Sequence, residues 1–121
     1  MKEYDYTYRV LAESDNCLST FQFLNMDAAV TKLCQLTKAG YNPSMFPVVH
    51  NTDPNRAEYE YRMFDIVILP ETIHNGHNIP YQVGMVLCLQ DAEPEFHGFR
   101  PSVEEALDYV DEYYYEKRKG E

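Results

Sequence analysis

The dipeptide Asn75-Gly76 constrains this chain more than any other two residues. A type I′ turn needs positive φ at both central positions, and Asn-Gly accepts that at little steric cost. A two-residue turn here pairs residues whose numbers sum to 151, so Ile68 faces Val83, Ile66 faces Met85 and Phe64 faces Leu87. Three apolar pairs then share one face, and a slip of one residue would turn all of them outward. Residues 59–90 are therefore expected to form a long hairpin at the centre of a sheet. Its other face pairs Val67 with Gly84, Met63 with Cys88 and Asp65 with Val86. The alternation changes phase between Tyr59/Tyr61/Met63 and Phe64/Ile66/Ile68, which predicts a β-bulge.

Local patterns assign the remaining elements. Residues 4–12 alternate, with Tyr4, Tyr6, Tyr8, Val10 and Ala12 on one face and Asp5, Thr7, Arg9 and Leu11 on the other, as a half-covered strand does. Residues 17–24 form a second strand with Phe21 and Phe23 inward. Asn25 caps a helix over 26–39, which Gly40 stops. Its buried stripe is expected to be Met26, Ala29, Val30, Leu33 and Thr37, flanked by Leu36 and Cys34. Three prolines make 41–57 mostly loop, with a short edge strand at Met45–His50. A further short strand covers 95–99.

The last helix, about 102–119, has a complete start signal. Ser102 is the N-cap, and Glu105 completes a capping box by reaching back to the cap's N–H. Val103, Ala106, Leu107, Val110 and Tyr114 make its buried stripe, and Lys117, Arg118 and Lys119 meet the negative end of its dipole. At an offset of 77, residues 4–33 align loosely with residues 81–110 as two strand–strand–helix units. These patterns predict one α+β domain over 1–121. Its antiparallel sheet has about 4–6 strands, with both helices on one face.

Charge narrows the partners. The chain carries a net −10, and nine acids against one arginine between Asp91 and Glu116 supply −8 of it. Nucleic acid and anionic membranes are poor direct partners for such a surface, and a basic protein is a good one. The expected contact set is Asp91, Glu93, Glu95, Glu104, Glu105, Asp108, Asp111, Glu112 and Glu116, with Tyr109 and Tyr115 as aromatic anchors among the acids. Carboxylates four apart on a helix recur every ~6 Å, against one charge per ~3.4 Å of a DNA strand. That spacing predicts partial charge mimicry of nucleic acid, strengthened if the acids of 91–95 lie beside the helix. The simpler alternative is a solvated acidic helix face.

Catalytic signatures are missing from the sequence. It has no G-x-S-x-G, no H-E-x-x-H and no P-loop, and its five glycines are scattered. His74 and His77 flank the Asn-Gly turn and would be cross-strand neighbours. Two polar residues at a hairpin tip explain them more simply than a metal pair completed by His50, His97 or Glu71. Asp65 is either a base raised by apolar neighbours or a carboxylate satisfied by Arg62 or a backbone N–H. Cys17, Cys34 and Cys88 lack zinc-ligand spacing and read as reduced, partly buried thiols. The expectation is a non-catalytic, cytoplasmic module without cofactor or metal that binds a basic protein surface. By analogy of type, it would be a stoichiometric inhibitor of a nuclease or other nucleic-acid-binding protein, as phages, mobile elements and immunity systems carry. The alternative is a small-molecule or metal-binding domain, possibly an enzyme, built on His74, His77 and Asp65.

Overall fold

The register that sums to 151 is the one the chain adopts. The computed structural model describes residues 4–14, 17–51, 58–69, 72–74, 76–79 and 82–119. In it Phe64 pairs with Leu87, Ile66 with Met85 and Ile68 with Val83. The elements are β1 (Tyr4–Glu13), β2 (Leu18–Phe23), α1 (Met26–Lys38), β3 (Ser44–Asn51), β4 (Glu58–Tyr61), β5 (Phe64–Leu69), β6 (Thr72–His74), β7 (His77–Ile79), β8 (Gln82–Leu87), β9 (Glu95–Arg100) and α2 (Val103–Lys119). Seven strands form one antiparallel sheet in the order β2-β1-β3-β4-β5-β8-β9, and β6 with β7 forms a separate ribbon.

The sheet is wider than the 4–6 strands expected, for two local reasons. The chain folds back at Arg62–Met63, where both residues have positive φ (48° and 71°), the sign pattern of a type I′ turn. Tyr61 therefore pairs with Phe64, and 58–61 become β4 rather than an extension of the hairpin. The change of phase marks a turn, not a bulge. The second reason is β3, expected as an edge strand, which lies between β1 and β4. β4 meets it only at residues 49–51, so Pro47 sits where β3 has one neighbour and its missing N–H need not break a ladder.

The helices lie on opposite faces of the sheet, not on one. Val10, Ala12, Tyr8, Phe21, Phe23 and Met45 pack with Ala29, Leu33 and Leu36 of α1. The alternate residues of the same strands look the other way. Arg9 reaches α2, and Phe46, Val48, Tyr61, Phe64, Ile66, Val83, Met85 and Leu87 pack with Ala106, Leu107 and Val110. Strand directions explain the arrangement. Four successive antiparallel steps from β1 to β8 leave these two strands pointing the same way, with β2 and β9 outward of them at opposite edges. Two hairpin–helix units of the same hand, so placed, are related by a half-turn about the strand direction, and that rotation exchanges the faces.

α2 packs mainly on β5, β8 and β9, and α1 mainly on β1, β2 and β3. Among the described residues, Phe96, Phe99 and Met63 are exposed around β5, β8 and β9. A bulge sets two residues, His97 and Gly98 (φ 98°), against Met85, so Phe96 and Phe99 point to the same side despite their odd spacing. Their rings pack edge to face over Gly84, and Phe96 is 60% exposed.

Candidate functional site: the acidic flank of α2

The capping box starts α2 in the expected place with one change of partner. The Ser102 hydroxyl accepts from the Glu105 N–H (3.2 Å) and donates to the Glu105 carboxylate (3.1 Å), so that carboxylate serves the hydroxyl rather than the backbone. From this start the helix sorts the expected contact residues into two groups.

One group is structural. Asp111, expected on the outer face, has no exposed surface. One of its oxygens accepts from Arg9 (2.9 Å); the other accepts from Tyr61 Oη (2.6 Å) and Arg62 (3.0 Å). Arg9 also bridges to Asp108 at 2.9 Å, so two guanidinium groups and two carboxylates form a neutral set. Burial alone would lower the pKa of Arg9, but the two carboxylates outweigh it and the net shift is upward. Burial, then the charge of Asp111, pushes the Tyr61 phenol strongly up. Arg62 is held between the rings of Phe46 (4.0 Å) and Tyr114 (4.4 Å), and its carbonyl accepts from the Tyr114 hydroxyl (2.6 Å). Tyr115, also expected outside, is buried and donates to the Ser14 carbonyl (3.0 Å), beside an ion pair of Arg118 with Glu13. Tyr109 is half-buried against His97 (2.7 Å) and beneath Arg100 (4.7 Å). None of Asp111, Tyr115 and Tyr109 presents itself as a free anchor.

The other group is a stripe. Glu104, Glu112 and Glu116 are exposed and Asp108 half-exposed, at every fourth position of α2. Successive carboxylates are thus about 6 Å apart along the axis. Asp108, Glu112 and Glu116 line a cleft of about 470 Å³ against Cys17, Leu18 and Thr20 of the β2 edge. Glu112 and Glu116 also border a groove with Tyr109, Tyr113 and Lys117. Glu105 is exposed beside the stripe. Asp91 and Glu93 are exposed in the turn before β9, and Glu95 reaches His97 (3.5 Å), which contacts Tyr109. Glu95 therefore stands on the flank of α2 turned to β9, out of line with the stripe.

The remaining candidates are described only in part. His74 and His77 pair in backbone register, but the side chain of His74 and all of Glu71 and Asn75 lie outside the described residues. Asp65 belongs to the large sheet and His77 to the ribbon. Asp65 accepts from the Cys88 thiol (3.4 Å), while Arg62, its expected partner, is committed to Asp111. Burial first, and Asp65 second, raise the pKa of Cys88. Cys17 and Cys34, expected partly buried, are exposed. Among the described residues no three His, Cys, Asp or Glu side chains converge on a metal-sized site, and no helix is long and apolar enough to cross a membrane. Comparison with protein-family models, curated proteins and solved structures finds no match.

The buried cluster left one trace in the sequence. Arg9 alternates in step with Thr7 and Leu11, and α2 covers that face. An arginine on a covered strand face needs a buried carboxylate, and the acids of α2 were the nearest supply.

Proposed function

We propose that this chain is a non-catalytic binding module that holds a basic segment of another protein along the acidic flank of α2. The observation that carries the reading is the row Glu104, Asp108, Glu112 and Glu116, set at every fourth position of a helix anchored by Asp111, with the last three lining one cleft. Asp108 already has Arg9 as its counter-ion, but Glu112 and Glu116 stand one four-residue step apart and repel by a few tenths of a kcal/mol. A basic segment laid along the row would relieve that repulsion while gaining the ion pairs.

Basic surfaces of this kind occur on nucleases and other nucleic-acid-binding proteins, which makes stoichiometric inhibition of one of them the favoured role. The row supplies charge at roughly half the linear density of a DNA strand. It would therefore engage a phosphate-binding surface in part rather than copy a duplex.

The test uses Glu104→Gln, Glu112→Gln and Glu116→Gln together and leaves Asp108 and Asp111 in place. A partner recovered from lysate of the protein's own source is measured against both forms at increasing salt. The variant should melt no lower than the parent, bind more weakly at low salt and lose most of the salt dependence. Equal affinities across the salt series would refute the reading.

A further inference from the structure

A second cleft, of about 680 Å³, opens between the first turn of α2 and strands β1, β2, β3 and β4. Its floor follows from the register. Asp5 pairs with His50 and His50 with Tyr59, so three side chains from neighbouring strands stand in a row on the α2 face. The rings of His50 and Tyr59 are stacked, 4.2 Å apart and 6° from parallel. Tyr59 lies on the β4 side of His50, so the other face of the imidazole looks toward β1 and Asp5. Glu104 stands above, with Val103 and Leu107 as an apolar wall.

We propose that this cleft receives a guanidinium group. Two observations decide the sign of the charge. The helix N-terminus alone would favour an anion, with an effective charge of about +0.5. Two full carboxylates, Asp5 and Glu104, stand at the same mouth and outweigh it, and the Glu105 N–H is already taken by Ser102. The stacked rings then decide the shape. A flat cation laid on the open face of His50 continues the stack as a third layer, with Asp5 at its edge, and its aliphatic stem lies along Val103 and Leu107. An ammonium group could meet the carboxylates but offers no plane to stack. The group could arrive on an arginine of a bound protein or on a free small guanidine. The first source rests on the function proposed above, because Glu104 belongs to both the cleft and the stripe.

The probe is agmatine, followed by NMR of the His50 and Tyr59 ring signals. It should shift both rings saturably, and n-butylamine should bind more weakly. Asp5→Asn with Glu104→Gln, both exposed positions, should weaken agmatine roughly tenfold or more. Glu112→Gln with Glu116→Gln should leave agmatine binding unchanged. Unmoved rings, equal binding by the carboxamide variant, or preference for phosphate over agmatine would each overturn the site. Competition between agmatine and the captured partner assigns the cleft to an arginine of that partner. Saturable agmatine binding without competition assigns it to a free guanidine. Loss of the partner in Glu112→Gln/Glu116→Gln while agmatine leaves the rings unmoved would retain the acidic stripe and remove only this site.

Discussion

The units β1–β2–α1 and β8–β9–α2 share a hairpin-then-helix order, yet they hold their helices by different means. α1 rests on Ala29, Leu33 and Leu36 against one end of the sheet, with Lys32 over the Phe21 ring (4.3 Å). Most of that contact is apolar and carries little directional information. α2 adds to its apolar stripe a buried carboxylate gripped by two arginines, two tyrosine hydroxyls donating to backbone carbonyls, and an ion pair near its end. Such contacts fix rotation and register as well as position. The helix that carries the acidic row is the one whose orientation is specified by hydrogen bonds.

Removing the charge that anchors α2 should give the largest effect. Asp111→Asn leaves Arg9 and Arg62 buried with Asp108 as their remaining carboxylate in the cluster. Breaking a buried pair from one side typically costs roughly 3–5 kcal/mol. In a domain of this size that lowers the melting temperature by roughly 10 °C or more. Calorimetry measures it directly, and a shift of only a few degrees would put α2 on the same footing as α1.

The next effect is smaller and depends on pH. Tyr61 holds its proton more tightly in the folded chain, through burial and then through Asp111, and burial moves Tyr114 the same way. A raised folded pKa contributes stability that is complete below the unfolded value, about 10 for tyrosine, and is lost as pH rises beyond it. Denaturation midpoints should therefore fall steeply above about pH 10. Tyr61→Phe removes a hydrogen bond to a buried charge and should be about 1.5–3 kcal/mol less stable at neutral pH. It cannot ionise, so its decline in alkali should be flatter. Parallel declines in the two proteins would mean that Tyr61 is not the group responsible.

The same contrast explains what could be read in advance. The hairpin register was legible because one turn dipeptide and three apolar pairs agreed on it. The start of α2 was legible because Ser102 and Glu105 act within one helical turn. Asp111 and Tyr115 were not, because their partners lie 102 and 101 residues away in sequence, at Arg9 and Ser14. A helical wheel places Asp111 next to the apolar stripe but cannot say that β1 rises beside it to bury it. The faces of the two helices were missed for a related reason. The offset of 77 repeats the local units, but the relation between the units depends on the number of strands inserted between them. The stripe of Glu104, Asp108, Glu112 and Glu116 was present in the charge pattern throughout, mixed with acids that do other work.

The smallest effect tests the α1 side of the comparison. Periodicity placed Met26, Val30 and Thr37 in the buried stripe, yet Met26 is 50% exposed, Val30 39% exposed, and Thr37 exposed. The contact line instead runs through Ala29, Leu33 and Leu36. Both lines satisfy a 3.6-residue period, because α1 has apolar residues over a wider arc than β1, β2 and β3 bury. Met26→Gln keeps a good helix former, Val30→Gln introduces one, and both remove only apolar surface that is already largely in water. Each should therefore change stability by less than about 0.5 kcal/mol. Leu36→Ala supplies the contrast, since truncating a buried leucine costs roughly 2–5 kcal/mol. Chemical denaturation of the three variants separates the two lines. If the glutamine variants lose as much as Leu36→Ala, then α1 is rotated about its axis, and its contact with β1 and β2 runs through the residues that periodicity had chosen.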